Sequence, residues 1–582
     1  MDGTVGGHLK GRWQSLPAMM LGLAAEHPDR VLARHWRGGA WQTLRWGDFA
    51  LQVAAVAAGL RRLGVMPGDR VLLVCENRPE FLVCDNAVMA IGGITVPTYT
   101  TNTIADHAHV LRDCGARIAV VSDDAMAERV TAAAQGLGLD ALVTLAPGPA
   151  APPEPGIGQR LDWGSLAAPA ADVAALIAEV SHIPAGRLAC LIYTSGTGGA
   201  PKGVMLPHRA MLSNTAGITP LLAPLLKPGD CYLSFLPMSH SYEHTVGGFI
   251  LPSLGLEIVF SRGADRIAAE MAQFRPAVLT AVPRLFEVLR TRIMAQTEKE
   301  PAWKQRLFAR ALALGLRRLD GPRLGPLERL QAALLDRLVA ERVRARFGGR
   351  LRAMVCGGAR LDPDLSGFFL ALGLPVVQGY GQTEAGPVIS VNTPDFNDRR
   401  TVGRPLEGVQ ATIAGDGELL VQGELVMDGY WGDPAATEAT LHEAPGLAGK
   451  WLHTGDVGRI DADGRISITD RKRDFIKLLG GDMIAPAKLE ALLMAEPEIT
   501  QAVVAGEGQP GILALLVPAE GAAVEAAVKR VNAKVASIER IRRWATLDEP
   551  FSIENGLLTA SMKVKRRAVV ERHAAVLLAL EK

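Results

Sequence analysis

The sequence has few cysteines, no long apolar run and no excess of either sign of charge. Only six of the 582 residues are cysteines, no two of them form a CxxC pair, and several lie in apolar runs that resemble strands. This usage predicts reduced core cysteines in a cytoplasmic protein. No stretch of about 18 apolar residues occurs, which argues against a membrane-spanning helix. The N-terminal stretch "MDGTVGGHLKGRW" lacks the apolar core of a signal peptide.

The balance of charge argues against a chain that binds nucleic acid as a whole. Lysine and arginine number 62, aspartate and glutamate number 61, and the net charge is +1. Hydrophobic residues make up 48% and charged residues 21% of the chain, which is typical of a globular protein and not of a disordered one. The length is sufficient for several units that each bury a core.

Short β-rich runs alternate with amphipathic helical patterns through most of the chain. This alternation predicts an α/β fold with parallel strands. After about residue 400, short strands with Gly and Asp turns predict an antiparallel or barrel-like β-rich subdomain, and a last unit follows "DRKRDF" at 470–475. The runs that predict parallel strands are residues 69–77, 116–124, 257–262, 276–284, 351–361 and 374–384.

The stretch "YTSGTGGAPKGV", residues 193–204, follows an apolar run at 188–192 that predicts a buried strand. Glycines let successive backbone N–H groups point into one concavity, hydroxyls add donors, and Lys202 adds positive charge. Such a loop suits phosphate. It is neither a Walker loop, because Pro201 precedes Lys202 and Gly203 follows it, nor a dinucleotide GxGxxG turn.

The ordered set Thr-Ser-Gly-Thr…Gly…Pro-Lys-Gly resembles the phosphate loop of the acyl-adenylate-forming enzymes, the AMP-binding superfamily. Within it the chain is most like bacterial long-chain fatty acid–CoA ligases. Gly198 stands where the family usually has a second threonine, which removes one hydroxyl. The resemblance implies that ATP phosphates bind to Thr194, Ser195, Gly196, Thr197, Gly198, Gly199 and Lys202.

The stretch "PMSHSYEH", residues 237–244, allows two interpretations. His240, Glu243 and His244 match the HxxEH zinc pattern, which would require a regular helix and a third ligand downstream. The stretch instead follows a strand-like run directly, and no such ligand is evident. The resemblance implies that His240 lines the entry to an acyl pocket.

Two further motifs match the nucleotide site of the family. "CGGARL" resembles its adenine-binding turn and implies Gly357, Gly358 and Ala359 there. "GYGQTEAG" matches its Tyr-Gly-x-Thr-Glu motif. By that resemblance Tyr380 stacks on adenine beside Gly381, Thr383 touches the α-phosphate, and Glu384 holds Mg²⁺, a metal that takes one or two carboxylates together with phosphate oxygens.

The last motifs imply a small mobile C-terminal domain. Asp456 in "LHTGDVGRID" matches the ribose-binding carboxylate of the family, and Arg471 matches a second ribose or phosphate contact. Lys563 in "ENGLLTASMKVKRR" matches its catalytic lysine. The resemblance predicts an N-terminal AMP-binding domain at 1–470 and a C-terminal α+β domain at 471–582, with a hinge near Arg473. Gly480 and Gly481 would line the passage for pantetheine.

Together these motifs imply ATP- and Mg²⁺-dependent activation of a fatty acid, favoured as long-chain, and transfer of the acyl group to coenzyme A. Fatty acyl-AMP ligase and acyl-carrier-protein ligase activities remain alternatives, as does a catalytically reduced nucleotide-binding protein. The expected partners are fatty acid, ATP and CoA, with no nucleic acid. A homo-oligomer is left open.

Residues 299–352 form a helical, Leu- and Arg-rich segment with 14 basic and 5 acidic residues, a net charge of +9. The plain interpretation is a solvated helix face with long arginine side chains. The alternative is a docking face for the phosphates of a cofactor or for anionic lipid, the latter giving peripheral contact with the inner face of the membrane through Arg317, Arg318 and Arg323.

Overall fold

The computed structural model describes residues 11–146, 156–168, 171–194, 200–263, 265–321, 324–472, 476–480, 482–559 and 564–581. The chain divides into two compact units. The first comprises residues 1–194, 202–410 and 421–443, and the second comprises residues 195–201, 411–420 and 444–582. Several residues singled out from the sequence lie outside the described ranges: Ser195, Gly196, Thr197, Gly198, Gly199, Arg323, Arg473, Gly481 and Lys563.

The strands are short, and most are apolar. In chain order they are β1 (Val31–Arg37), β2 (Ala40–Arg45), β3 (Arg70–Val74), β4 (Ile94–Pro97), β5 (Ile118–Val121), β6 (Leu139–Thr144), β7 (Ile157–Asp162), β8 (Leu188–Thr194), β9 (Lys202–Pro207), β10 (Cys231–Ser234), β11 (Glu257–Phe260), β12 (Val278–Ala281), β13 (Ala353–Cys356), β14 (Val376–Gly381), β15 (Val388–Val391), β16 (Arg404–Pro405), β17 (Gln410–Ile413), β18 (Glu418–Gln422), β19 (Gly429–Tyr430), β20 (Leu441–Glu443), β21 (Lys450–Ile460), β22 (Ile466–Arg471), β23 (Ile476–Lys477), β24 (Met483–Ile484), β25 (Ile499–Ala505), β26 (Ile512–Pro518) and β27 (Ile541–Thr546).

The helices are α1 (Leu16–Glu26), α2 (Trp46–Arg62), α3 (Pro79–Ala90), α4 (Ile104–Cys114), α5 (Asp124–Ala133), α6 (Trp163–Leu166), α7 (Val173–Val180), α8 (His208–Leu222), α9 (Ser241–Thr245), α10 (Leu251–Ser253), α11 (Ile267–Phe274), α12 (Pro283–Glu298), α13 (Ala302–Asp320), α14 (Pro326–Leu335), α15 (Glu341–Arg346), α16 (Pro363–Ala371), α17 (Pro434–Thr440), α18 (Pro486–Met494), α19 (Glu525–Ala533), α20 (Arg566–Arg572) and α21 (Ala574–Glu581). Two π-helical turns, Val246–Ile250 and Asp336–Ala340, follow α9 and α14. Short 3₁₀ turns lie at Thr383–Ala385 and Ser537–Glu539.

The first unit contains two large sheets. One has eight strands in the order β19-β9-β8-β4-β3-β5-β6-β7, and its strands from β8 to β7 run parallel. Its interior strand β5 is wholly buried and apolar, as expected of a parallel strand covered on both faces. The β9 and β19 strands extend one edge in antiparallel fashion. The predicted α/β fold with parallel strands is confirmed.

The other sheet has nine strands in the order β16-β15-β14-β13-β12-β10-β11-β1-β2. Its strands from β14 to β1 run parallel, so they end at one edge. In open α/β sheets, ligands bind outside the carboxyl ends of such strands. The turn after β13 and the end of β14, which carry the two predicted nucleotide motifs, both lie at this edge.

In the second unit, β21 pairs with β22 in antiparallel fashion, and the Thr454 hydroxyl of β21 donates a hydrogen bond to the Leu419 carbonyl of β18. Farther along the chain, β25, β26 and β27 form a three-stranded sheet. Its core includes Leu489 of α18 and Val528 of α19. The β23 and β24 strands form a separate hairpin.

The basic segment at 299–352 is helical over α13, α14 and α15, as its pattern predicts. These helices contribute to a large apolar core through Phe308 and Val343. Across the described ranges, none of the helices combines the length and the apolar character needed to cross a bilayer.

Candidate active site

The predicted phosphate loop begins and ends at one point of the eight-stranded sheet. Thr194 is the last residue of β8 and Lys202 is the first residue of β9, and the antiparallel register places them opposite each other. The two ends of the loop, Thr194 and Lys202, therefore lie side by side at the edge of β8 and β9. The five residues 195–199 are not described, so their phosphate-binding role stays a prediction.

Lys202 lies against an aromatic ring and a carboxylate. Its Nζ is 5.1 Å from the ring centroid of Tyr430 and 3.6 Å from Oδ2 of Asp433. The Lys202 side chain keeps 41% of its surface exposed, so the ammonium group remains accessible to a ligand. Tyr430 is beside Lys202 because β19 pairs with β9, with Tyr430 opposite Val204.

Glu384 contacts the other end of the same tyrosine. The Tyr430 hydroxyl donates a hydrogen bond to Glu384 Oε1 at 2.8 Å. The backbone of Glu384 is held as well, because the Met427 N–H donates to its carbonyl at 3.0 Å. Tyr430 therefore brings together two residues that the motifs predicted separately, the phosphate-binding Lys202 and the metal-binding Glu384.

Thr383 opens the short 3₁₀ turn that also carries Glu384. Its hydroxyl lies 2.9 Å from the hydroxyl of Ser241, the first residue of α9, and the side chain is 8% exposed. This contact connects the Tyr-Gly-x-Thr-Glu motif with the "PMSHSYEH" stretch. The Ser241 hydroxyl therefore orients the Thr383 hydroxyl at the edge of the nine-stranded sheet where its parallel strands end.

The predicted adenine turn follows β13 directly. Gly358 has φ +79°, which favours glycine. Tyr242 lies close to the turn, because a Cβ at Gly357 would be 3.2 Å from its ring, and its hydroxyl donates to the Val355 carbonyl at 3.0 Å. Ala359 is the exposed residue that follows.

Tyr380 and Gly381 end β14, beside that turn, since β13 and β14 are parallel neighbours. A Cβ at Gly381 would lie 1.9 Å from the carbonyl oxygen of Pro387, so this position accepts no side chain. The structure thus places both predicted nucleotide motifs at one sheet edge.

His240 lies at the N-terminus of α9, where its Nδ1 accepts a hydrogen bond from the Tyr242 N–H at 3.2 Å. Its ring centroid is 6.5 Å from that of Tyr99. The zinc interpretation required His240, Glu243 and His244 on one regular helix, and His240 precedes the helix. His244 instead has its Nε2 3.1 Å from Oδ2 of buried Asp85. Within the described part of the chain, no three metal-ligating side chains converge.

Glu243 is fully buried among hydroxyl groups. Its carboxylate accepts hydrogen bonds from Tyr232, from Ser234 at 2.6 Å and from Thr280 at 3.0 Å. Burial raises the pKa of Glu243 to about 7, and these hydrogen bonds oppose that effect. The hydroxyls belong to β10 and β12, so Glu243 attaches α9 to the sheet.

The predicted ribose contacts lie in the second unit. Asp456 and Arg471 face each other across β21 and β22, and Arg471 Nε donates to Asp456 Oδ1 at 3.2 Å. Asp456 is 4% exposed, whereas the side chain of Arg471 is 51% exposed. Gly480 is an exposed turn residue between β23 and β24. The arrangement offers a carboxylate and a guanidinium side by side.

Four residues that sequence reasoning missed contact the predicted site residues. Ser241 and Tyr242 directly follow His240 in the stretch 237–244, and this position next to a motif residue is a signal that the sequence does contain. Tyr430 and Asp433 stand in "DGYWGDP", which matches no motif that was recognised in the sequence, and only strand pairing reveals them.

Comparison with known families and proteins identifies the group to which this arrangement belongs. The AMP-binding enzyme family matches residues 23–431, and the family described as AMP-binding enzyme C-terminal domain matches residues 473–580. The long-chain-fatty-acid–CoA ligase FadD15 of Mycobacterium tuberculosis is 33% identical over 98% of this chain and 97% of its own length. The peroxisomal long chain acyl-CoA synthetase 6 of Arabidopsis thaliana is 28% identical over 92% of this chain and 81% of its own length.

Solved structures share the fold. ATP-bound MatB of Rhodopseudomonas palustris superposes with a TM-score of 0.72 at 23% identity, covering 96% of this chain and 99% of its own. The O-succinylbenzoate coenzyme A synthetase MenE of Bacillus subtilis, in complex with AMP, gives a TM-score of 0.69 at 20% identity, covering 95% of this chain and 98% of its own. At these identities the likeness establishes the fold, an α/β architecture with a large N-terminal and a small C-terminal domain.

Proposed function

Because the chain belongs to the AMP-binding enzyme family, we propose that it activates a fatty acid with ATP and transfers the acyl group to coenzyme A. The products are acyl-CoA, AMP and pyrophosphate. The observation that carries this proposal is the placement of Lys202 and Glu384 on the same tyrosine, with Thr383 adjacent in the chain. A cation for phosphate, a carboxylate for a metal and a hydroxyl donor are the groups that nucleotide activation requires.

The surroundings of Glu384 fit Mg²⁺. Tyr430 donates to Oε1 of this carboxylate, and Mg²⁺ is commonly bound by one or two carboxylates together with phosphate oxygens and water. When bound, the ion neutralises charge on the phosphates. We propose Glu384 as its protein ligand, with the Tyr430 hydroxyl fixing the orientation of the carboxylate.

In the first step, a carboxylate oxygen of the fatty acid attacks the α-phosphorus of ATP, an O–P bond forms, and the bond to pyrophosphate breaks. Thr383 and Lys563 stabilise the negative charge that grows on the α-phosphate, and residues 194–199 with Lys202 hold the β- and γ-phosphates. Tyr380 and the turn at 357–359 bind adenine, and Asp456 with Arg471 binds ribose.

In the second step, the thiol sulfur of coenzyme A attacks the acyl carbon, the thiol proton is lost, and AMP leaves with the electron pair of the broken C–O bond. Gly480 and Gly481 leave room for the thin pantetheine arm to pass close to the backbone. The proposed boundary between the two domains is at residue 470, and the proposed hinge is near Arg473. The C-terminal domain adopts one arrangement for the first step and another for the second.

The substrate that we propose is a long-chain fatty acid, and His240 is proposed to line the entry to its pocket. Support comes from relatives described as long-chain ligases at about 30% identity over most of their length. Fatty acyl-AMP ligase and acyl-carrier-protein ligase activities use the same first step, so only the acceptor distinguishes them.

The test is an assay of the purified protein with ATP, Mg²⁺ and fatty acids from short to very long, with either coenzyme A or a holo-carrier protein as acceptor. We expect acid-dependent ATP–pyrophosphate exchange, and acyl-CoA formation that is fastest with long chains. If exchange occurs and the acyl group is transferred to the carrier protein but not to CoA, the acceptor is the carrier protein. No exchange with any acid would contradict the proposal and indicate a nucleotide-binding protein.

Lys563→Ala separates the two steps, because the charge of this lysine is needed only while charge grows on phosphate. We expect adenylation to fall by about 10² to 10³ and thioester formation from supplied acyl-adenylate to stay near wild type. Lys565→Ala, two residues away, is the matched control and should retain both activities. Equal losses of both half-reactions in Lys563→Ala would make Lys563 structural.

A further inference from the structure

The helix α14 carries apolar side chains on two sides. One side packs inward, where Leu335 is 3% exposed and contacts a small core with Ala311 and Leu314 of α13 and with Leu324. That contact accounts for the ordinary amphipathic pattern of a surface helix. It leaves a second set of leucines without a role in the core.

This second set, which we call the leucine face, is exposed to solvent. Its members follow one another at intervals of three, four and four residues, which places them along one side of a helix. The set runs from α14 into the π-helical turn at Asp336–Ala340. Its side chains are Leu327 (83% exposed), Leu330 (71%), Leu334 (57%) and Leu338 (43%).

Single exposed leucines are common on protein surfaces and need no explanation. Four of them along one helix form a contiguous apolar strip, which marks a site of contact with another molecule or with a membrane. The helical pattern makes the strip continuous over about three turns, since the outer residues are eleven positions apart.

Positive charge lies beside the leucine face. Arg337 and Arg342 are exposed, follow Leu334 and Leu338 within about one turn, and make no ion pair with any described residue. Glu341 is an exposed carboxylate three residues after Leu338, so it lies near the same end of the leucine face. Arg317, which the sequence suggested for lipid contact, is instead paired with Glu328.

We propose that the leucine face inserts into the surface of a membrane that contains anionic lipid. Leucine side chains enter the boundary of the acyl chains, while Arg337 and Arg342 reach the phosphates of the head groups. A second copy of this chain fits less well, because self-association would bring the arginines of both copies together. The surface would hold the protein where long-chain fatty acids are dissolved, but the inference itself rests on the leucines and the charge and not on the proposed chemistry.

The test is co-sedimentation of the full-length protein with phosphatidylcholine vesicles, with and without phosphatidylglycerol, and without ATP, fatty acid or CoA. We expect binding to the anionic vesicles that weakens at high salt. The double variant Leu330→Gln/Leu334→Gln should bind about tenfold more weakly, because less apolar surface enters the bilayer. Arg337→Gln/Arg342→Gln should also lose about tenfold, and only on anionic vesicles.

Leu51→Gln/Met66→Gln is the matched control, since these residues are 57% and 63% exposed elsewhere in the first unit. It should bind vesicles like wild type, and thermal midpoints should show that every variant folds. Absence of vesicle binding at low salt, or equal binding by the leucine variant and the control, overturns the proposal. A dimer that dissociates in the leucine variant, without vesicle binding, would make the face a self-interface. Because no substrate is present, failure here is distinct from failure of the ligase assay.

Discussion

Glu80 and Glu243 are both buried in the first unit, at 5% and 0% exposure, but different kinds of donor surround them. Glu80 in the first turn of α3 meets guanidinium groups. Arg78 donates to both of its oxygens, at 2.9 and 3.0 Å, and Arg37 donates at 3.2 Å. Among the residues that the structure describes, the side-chain donors to Glu243 are hydroxyl groups of β10 and β12, which satisfy its oxygens without supplying a positive charge.

The two environments move the pKa in opposite directions. Burial alone would raise both values, because it disfavours the charged form. At Glu80 the hydrogen bonds and the charge of Arg78 outweigh burial, so the pKa of Glu80 lies below its ordinary value. At Glu243 burial dominates, and the pKa of Glu243 is raised to about 7. Satisfying the hydrogen bonds of a buried carboxylate is therefore not equivalent to compensating its charge.

The largest effect is expected from Glu80→Gln, which leaves the Arg78 guanidinium without its counter-charge. Removing one member of a largely buried pair costs about 3 kcal/mol of unfolding free energy at neutral pH, at the low end of the range because both arginines retain contact with water. Glu80 has a lowered pKa in the folded state, so its stabilisation is complete above about pH 4.5 and disappears at lower pH. Urea unfolding at neutral and acidic pH measures the difference.

Glu76→Gln is the matched control, because Glu76 is an exposed carboxylate close in sequence to Arg78. Its effect should stay below about 0.5 kcal/mol. Equal losses for Glu76→Gln and Glu80→Gln would mean that the Arg78 pair contributes no more than a surface charge.

Glu243→Gln should have the opposite pH dependence. Because the pKa of Glu243 is raised in the folded state, the wild-type protein loses stability as pH rises from about 4.5 to about 7, and the amide variant does not. The stability of the variant relative to wild type should therefore increase by roughly 2 kcal/mol between pH 5 and pH 8. Thermal or urea unfolding across this range provides the measurement.

The comparison with Glu80→Gln also serves as the control for this prediction, since the two variants make the same chemical change. Their pH dependences should slope in opposite directions. A flat profile for Glu243→Gln, or one parallel to that of Glu80→Gln, would show that Glu243 is ionised in the folded protein at neutral pH, contrary to the comparison.

The sequence predicted the parts of the fold that depend on local pattern. Buried parallel strands are recognisable as short apolar runs, so the runs at 116–124 and 351–361 located β5 and β13 correctly. The run at 374–384 likewise located β14, although the strand ends at Gly381, so Thr383 and Glu384 lie in the 3₁₀ turn that follows it. These predictions needed only neighbouring residues, because strand type and turn chemistry are encoded locally.

What the sequence did not reveal depends on pairing between distant segments. Tyr430 joins Lys202 to Glu384 only because β19 pairs with β9, and no pattern around residue 430 indicates that pairing. Glu243 was considered as part of a zinc motif, and its true partners belong to β10 and β12, which reach it through the tertiary fold. The electrostatic state of a buried group depends on such partners, and local sequence does not contain them.

The smallest effect concerns activity and tests whether the Glu243 network reaches the proposed site. Glu243 and Ser241 both belong to α9, and the hydroxyl of Ser241 lies 2.9 Å from that of Thr383. If an amide at position 243 shifts α9 slightly, Thr383 loses part of its orientation. We expect Glu243→Gln to lower the maximal rate of ATP–pyrophosphate exchange about threefold to fivefold, less than 1 kcal/mol, with the KM for ATP unchanged.

Glu80→Gln supplies the contrast, because none of the described hydrogen bonds connects Glu80 with Thr383 or Glu384. It should change the exchange rate by less than about twofold under conditions in which it is fully folded. Ser241→Ala should reproduce the loss seen in Glu243→Gln, and the double variant should lose no more than either single one, since both act through the same hydroxyl contact. Additive losses would mean that Glu243 acts on the site by another route. If Glu80→Gln and Glu243→Gln have equal rates of ATP–pyrophosphate exchange, the two glutamates differ in their effect on stability but not in their effect on activity.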